Sequence, residues 1–187
     1  MRIIAIIPAR GGSKRLMGKN IYLLNGKPLI AYTIEACLAC SHIDEIYVSS
    51  DDNEILKIGE EWGAIPLKRP AQLADDETPK IVAIRQAAQA SQVIQKGIPD
   101  IVIVPQANSP EISAEQMTSG FELMNNHNLW EVMSCDDNGV QNAAFRILKY
   151  DALFNEFLSA HCGFVVANNL DVHDIEDIRS LEKKWNV

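Results

Sequence analysis

Three short runs dominated by branched apolar residues recur along the chain: residues 2–7, the segment DEIYVSS ending near Ser50, and DIVIVPQ ending at Gln106. Each is too short and too continuously apolar for a helix with one wet face, so each reads as a strand buried on both sides. Between them lie segments with helical spacing. These are PLIAYTIEACLAC, DDNEILKIGEEWG with Gly63 as its stop, and the long KIVAIRQAAQASQVIQKG. AIPLKRP is a brief extended piece. Further along, SAEQMTSGFELMNNH reads as a helix with Ser113 placed to cap it, WEVMSC and CGFVVAN as strands, and DIEDIRSLEKKW as a terminal helix. Strands that alternate with helices predict a three-layer α/β fold, a mostly parallel sheet with helices on both faces. No repeat, low-complexity tract or linker interrupts this order, so one domain over 1–187 is expected.

In such sheets ligands gather beyond the carboxyl ends of the strands. The first of those ends opens into IPARGGSKRLMGKN, where Arg10, Lys14, Arg15 and Lys19 sit among Gly11, Gly12 and Gly18. The chain as a whole carries a net charge of −8, so this cluster is a local exception. Glycines let backbone amides approach an anion, and lysine and arginine add full charges, so phosphate is the guest such a loop suits. A solvated loop with its cations in water is the plain alternative, disfavoured by the density of charge beside two adjacent glycines. A Walker A loop is excluded by spacing, since five residues separate Gly12 from Gly18 and Asn20 stands where Ser or Thr would be. The dinucleotide fingerprint G-x-G-x-x-G is absent as well.

The acidic balance excludes a nonspecific polyanion binder, so no nucleic-acid partner is expected. No apolar stretch approaches the roughly 20 residues that span a bilayer, and the N-terminus lacks a cleavage pattern, which predicts a cytoplasmic protein without a membrane partner. Cys37 and Cys40 form a single C-x-x-C inside a helical apolar pattern and read as packed, reduced thiols. Asp51 with Glu54 fits a capping-box-like helix start.

The stretch IPARGGSKRLMGKN closely resembles the signature I-P-A-R-x-x-S-K-x-L-P-x-K-N of the CMP-sugar-acid synthetases, the acylneuraminate cytidylyltransferase family, with Met17 in place of the usual proline. The similarity continues through GKPLIAYTIEAC, IYVSSDDNEI, GAIPLKRPAQLADD and the weaker PQANSP. It implies a nucleotide-diphospho-sugar transferase-like fold and a reaction in which CMP passes from CTP to the anomeric hydroxyl of a nonulosonic, sialic-type sugar acid, with release of pyrophosphate. It further implies that Arg10 and Lys19 are catalytic and contact the triphosphate, and that Ala9, Gly11, Gly12, Ser13, Asn20, Arg69 and Gln106 surround the nucleotide. Magnesium, or manganese, is the implied cofactor, CTP and a sugar acid the partners, and a homodimer a further possibility. Attack at an α-phosphorus builds charge on the equatorial and leaving oxygens, which fixed cations and a divalent metal stabilise.

The later motifs depart from the family. In QANSPEI, Glu111 and Ile112 occupy the family's Leu-Arg positions, removing a cation. In DVHDIEDI, Asp171 matches the first aspartate of the metal motif D-x-D, His173 falls on the second, and Asp174 is the replacement that could turn in; magnesium prefers oxygen ligands. The plain alternatives are that Asp174 caps the last helix and that Arg69 pairs with Asp75 or Asp76. In CGFVVAN, Cys162 takes an asparagine position and no tyrosine follows. His161 reads as structural. The sugar-binding and dimerisation region, around 111–170, is shorter than in relatives. These departures keep two other readings open, a nucleotide-binding homologue without catalysis and a nucleotidylyltransferase for a different sugar acid.

Overall fold

A computed structural model describes the chain except residues 76, 96, 157, 158, 186 and 187. Its main sheet is built from β1 (Ile3–Pro8), β4 (Glu45–Ser50), β5 (Ile65–Lys68), β6 (Ile101–Pro105), β7 (Glu131–Cys135), β8 (Gln141–Lys149) and β9 (Cys162–Val166). A small hairpin, β2 (Leu23–Leu24) and β3 (Lys27–Pro28), precedes the first helix. The helices are α1 (Leu29–Ala39), α2 (Asn53–Glu61), α3 (Lys80–Gln95), α4 (Ala114–His127) and α5 (Ile175–Trp185).

The sheet order is β5-β4-β1-β6-β8-β7-β9. The pairings β5·β4, β4·β1, β1·β6 and β7·β9 are parallel, and β8 runs antiparallel to both β6 and β7. The mostly parallel three-layer expectation holds. The residues of β1 show why this strand is apolar without interruption. Ile3, Ala5 and Ile7 join a core shared with Ile30 and Ile34 of α1, Ile55 of α2 and Phe121 of α4, whereas Ile4 and Ile6 join a second core with Ile84 and Ala87 of α3. Alternate side chains therefore enter two different layers, and neither face meets water. A third cluster, with Leu24, Leu29, Ile178 and Leu181, seats α5 against the hairpin and α1.

Local signals set the boundaries. Ser113 caps α4 in a full capping box with Gln116. At α2 the cap is Asp52, whose Oδ1 accepts from Glu54 N at 2.7 Å and Ile55 N at 3.4 Å. The capping role assigned to Asp51 thus belongs to its neighbour, because Asp51 turns back toward the first loop. Cys37 is buried in the core and Cys40 beside it, both as free thiols, and burial pushes the Cys37 thiol well up. Gly163 of β9 leaves room for Leu129 and Leu123, since an added Cβ would stand 2.7 Å from Leu129 Cδ1. Among the described residues no helix is long and apolar enough to cross a membrane.

Two elements escaped the sequence reading. The Asn25-Gly26 pair has φ of 49° and 78°, the left-handed geometry of a tight hairpin turn, and so makes β2 and β3. Strand β8 carries Arg146 in its middle, and that charge broke the apolar run; the structure pairs it with Glu131 on β7.

Candidate active site

Chain direction in the sheet reverses next to β1. From β1 the chain steps outward through β4 to β5, and α3 then carries it back so that β6 lies on the other side of β1. A crevice opens at such a reversal, beyond the carboxyl ends of the two diverging strands. Here it is a cleft of about 580 Å³, whose lining includes Arg10, Ser13, Lys14, Arg15, Lys19, Asn20, Arg69, Asp75, Lys80, Gln106, Asp171 and His173. Arg10 follows β1 and Gln106 follows β6, so the two strands at the reversal supply its opposite walls.

The loop after β1 is held from within. Ala9 is buried and its N–H donates to Ser49 O at 3.0 Å, the Gly11 N–H donates to Asp51 Oδ1 at 3.1 Å, and the Ser13 N–H donates to Gly11 O at 2.9 Å. Asn20, itself buried, donates from Nδ2 to Arg10 O at 2.9 Å and ties the far end of the loop to its start. The amides of Gly11 and Ser13 are therefore committed inside the protein, and Ala9, Gly11 and Gly12 are not among the residues lining the cleft. The amide cradle expected from the glycines is replaced by side chains: the glycines permit the bend, and the cations face the cavity. At Gly11 the need is steric, since an added Cβ would lie 2.8 Å from Asp52 Oδ2 and 2.9 Å from Asp52 Cβ.

Arg69 is 5% exposed and points into the site from the end of β5. Its Nη2 donates to Ser49 O at 2.7 Å and its Nε to Ser49 Oγ at 3.3 Å, with Asp51 close enough to favour its charge. That anchoring takes the place of the alternative pairing with Asp75; Asp76 lies outside the described residues. Arg10 Nη1 donates to Asp75 O at 3.2 Å. Burial of the cations comes first in the electrostatics of the site, and crowding of like charge adds to it. Desolvation lowers the pKa of Lys19, with Arg15, Lys80 and Arg10 adding to the effect and Asp171 opposing it. Desolvation also lowers Lys80, again with Arg10 adding and Asp171 opposing. Arg69 is lowered by desolvation first and by Arg10. Such an array is unfavourable by itself and is relieved by an anion with several negative charges.

The C-terminal segment brings in the carboxylate. Asn108 and Val172 exchange hydrogen bonds, Val172 N to Asn108 O at 2.7 Å and Asn108 Nδ2 to Val172 O at 2.9 Å, which sets Asp171 beside Ser109 so that the hydroxyl donates to Asp171 Oδ1. Asp174 is elsewhere. Its Oδ1 accepts from Glu176 N at 3.0 Å and Asp177 N at 3.3 Å, the geometry of a helix cap for α5, and it does not line the cleft. The carboxylate of Asp174, expected as a metal ligand, is engaged at the helix start and is not brought together with Asp171 in the cleft lining. His173 does reach the rim, with Nδ1 at 3.4 Å from Arg15 Nη2. Ile112 is buried in the core, and Glu111 binds Leu170 N at 3.0 Å and Lys184 Nζ at 2.5 Å, so the altered pair steadies the C-terminal segment and does not face the cleft. His161 stands before β9, where its carbonyl accepts from Trp130 N at 2.9 Å.

Lys80 was not foreseen. It opens α3, and its Nζ donates to Gln106 Oε1 at 2.6 Å. The signal was present in the sequence, for a lysine at the first position of a helix opposes the helix dipole and calls for a compensating partner. Gln106 is held in turn by its own N–H to Ala144 O at 2.9 Å and by Thr33 Oγ1 donating to its carbonyl at 2.9 Å. Next to the main cleft lies a second cavity of about 360 Å³ between α3, β6 and β8, which shares Lys80, Gln106 and Ala143 with it.

With this geometry in view, the likeness to other proteins is specific. Residues 4–153 match the cytidylyltransferase family model. A pseudaminic acid cytidylyltransferase of Campylobacter jejuni is 41% identical over 123 residues, 65% of this chain and 53% of the relative. A CMP-N,N'-diacetyllegionaminic acid synthase of Legionella pneumophila is 41% identical over 124 residues, 66% of this chain and 53% of the relative. The chain thus matches about half the length of these curated relatives. Among solved structures, a CMP:2-keto-3-deoxy-manno-octonic acid synthetase in complex with CTP superposes with a TM-score of 0.79 over 100% of this chain and 99% of the other, at 16% identity, a likeness of fold. The motif at the end of β1, the strand order and the family match converge on one assignment: the chain belongs to the cytidylyltransferase family.

Proposed function

We propose that the protein transfers CMP from CTP to the anomeric hydroxyl of a nonulosonic, sialic-type sugar acid and releases pyrophosphate. The observation that carries this reading is the set of cations, Arg10, Arg15, Lys19 and Arg69, facing one cleft in a chain of net charge −8. A triphosphate supplies the negative charge that the cluster lacks. Arg10 and Lys19 stabilise the oxygens that gain charge as the acceptor hydroxyl attacks the α-phosphorus and the bond to the leaving pyrophosphate breaks. Arg69, anchored on Ser49, and Asn20, which closes the loop onto Arg10, hold that geometry.

Magnesium fits the site in a limited way. It binds by one or two carboxylates together with substrate phosphates and water, and Asp171 is the carboxylate suited to it, steadied by Ser109. Among the described residues no group of three or more His, Cys, Asp or Glu forms a protein-made cage. The metal would arrive with the triphosphate and add positive charge at the transferring phosphate. The acceptor region is compressed into residues 111–170 of a single catalytic unit. The sheet edge at β9, where Phe164 and Val166 are exposed, supports pairing with a second copy. The cytoplasm, the source of CTP, is the proposed compartment.

The test is pyrophosphate release with each of the four ribonucleoside triphosphates, magnesium or manganese, and a panel of nine-carbon and eight-carbon sugar acids. Release that requires CTP, a nonulosonic acid and free metal, and that chelation abolishes, is expected. Equal release with all four nucleotides, or none with any, would overturn the reading.

A further inference from the structure

We propose that Lys80 binds the carboxylate of the acceptor and so sets the anomeric hydroxyl against the nucleotide. This rests on the reading of the main cleft as the CTP site.

Position is the first argument. Lys80 lines both the 580 Å³ cleft and the adjoining 360 Å³ cavity, at the border between them. In a 2-keto sugar acid closed into its ring, the anomeric carbon carries both the reacting hydroxyl and the carboxylate. If the triphosphate fills the first cavity and the ring the second, that carbon has to stand at the border. A cation there meets the carboxylate while the hydroxyl on the same carbon points toward the α-phosphate.

The second argument is the character of the adjoining cavity. Ile81, Ile84 and Val104 give it an apolar side, and Gln141 and Asn142 contribute a polar one, which suits a sugar ring with an apolar face and hydroxyl edges. Besides Lys80 it has one other charged lining residue, Arg146, whose Nε donates at 2.6 Å to Oε1 of the buried Glu131. That pair balances its own charge. Lys80, in contrast, hydrogen-bonds to a neutral amide oxygen, Gln106 Oε1. On the loop after β6, Ile112 is buried and Glu111 is negative, so no cation comes from that side. Desolvation disfavours the ammonium, Asp171 offsets part of that cost and Arg10 adds to it, and an anionic ligand at the border of the two cavities offsets more.

The experiment compares wild type, Lys80→Met and Lys80→Arg for the KM of the acceptor and the KM of CTP, with the sugar acid and with its primary amide. In Lys80→Met the acceptor KM should rise roughly 10- to 100-fold, the cost of one charge-assisted hydrogen bond, while the KM of CTP changes less than about threefold. Lys80→Arg should recover most of the loss. The neutral amide should be a poor acceptor for wild type and Lys80→Met alike. A CTP-induced rise in melting temperature, retained in Lys80→Met, shows that the variant is folded. A raised KM for CTP with an unchanged acceptor KM assigns Lys80 to the triphosphate and overturns the proposal, as does a mutational penalty equally large for the amide. Wild-type turnover with variants that match it overturns the role of Lys80 alone; absence of CTP-dependent turnover in the wild type overturns the reading of the cleft and the proposal with it.

Discussion

Lys19→Ala should lower CTP-dependent turnover by roughly 10²–10³-fold, the loss typical of removing one preorganised donor from developing charge. Lys19 follows the left-handed Gly18 in the short helical turn Lys19–Ile21, so its backbone is set before any ligand arrives. Its ammonium lies among Arg10, Arg15 and Lys80, with Asp171 opposing them. A charge held there gains most as the leaving pyrophosphate becomes more negative, so kcat should fall more than the KM of CTP rises. A rise in KM alone would show that Lys19 acts only in ground-state binding. The pH dependence follows with its sign. Because the folded-state pKa of Lys19 lies below the ordinary lysine value of about 10.4, its charge opposes folding at every pH below that folded-state value. The cost fades as pH climbs from there toward the unfolded value. Melting curves of the free protein should therefore show this contribution improving toward alkaline pH, while kcat/KM for CTP, which reports the free enzyme, declines earlier than a solvent-exposed lysine would dictate. Lys19→Ala should remove both effects, and a variant that keeps them would assign them elsewhere.

Gly11→Ala should reduce turnover on the order of 10²-fold and lower stability, whereas Gly12→Ala, one residue away, should leave both nearly unchanged. A methyl at Gly11 would meet Asp52 at 2.8 Å and 2.9 Å, and nothing lies within 4 Å of a methyl at Gly12. To make room, either Asp52 leaves its cap on α2 or the loop lifts off Asp51. Loss of the cap costs about 0.5–2 kcal/mol. Lifting the loop breaks the Gly11–Asp51 hydrogen bond and shifts Arg10, and a misplacement of about 1 Å at a reacting centre costs about 10²-fold. Melting temperature and kcat/KM of the two variants, measured side by side, decide the matter. A Gly11→Ala enzyme that behaves as wild type would mean that the loop adapts freely and that its internal hydrogen bonds do not position the cations.

Much of this was legible where the information is local. The strands β1, β4 and β6 are apolar because both of their faces are covered, and that leaves a contiguous run in the sequence. Arg10, Lys19 and Arg69 stand beside strand ends, where α/β sheets gather ligands, and the structure brings them to one cleft. What failed depended on contacts between distant residues. Strand β8 looked broken at Arg146 because Glu131, its partner, lies on another strand. Asp51 and Asp52 are adjacent acids before a helix, and the one that caps is decided by Gly11, far away in the sequence but in contact. The glycines suggested amides facing an anion, yet Asp51 takes that of Gly11 and the loop itself takes that of Ser13. Lys80 joins Lys19 only because α3 crosses back over the sheet to place its first turn beside Gln106.

The position of β8 also imposes an order in time. The cation loop is synthesised before the strands β6 and β8 that complete the cleft, and β1, β4 and β5 with their helices precede them as well. Gln106, however, is held by Ala144 of β8, and β8 must slot between β6 and β7. Pairing 101–105 with 145–149 closes a long loop, a slow and late event in folding. A growing chain therefore carries its positive loop before it has a floor beneath it, and the cleft becomes competent only once β8 has been threaded between β6 and β7.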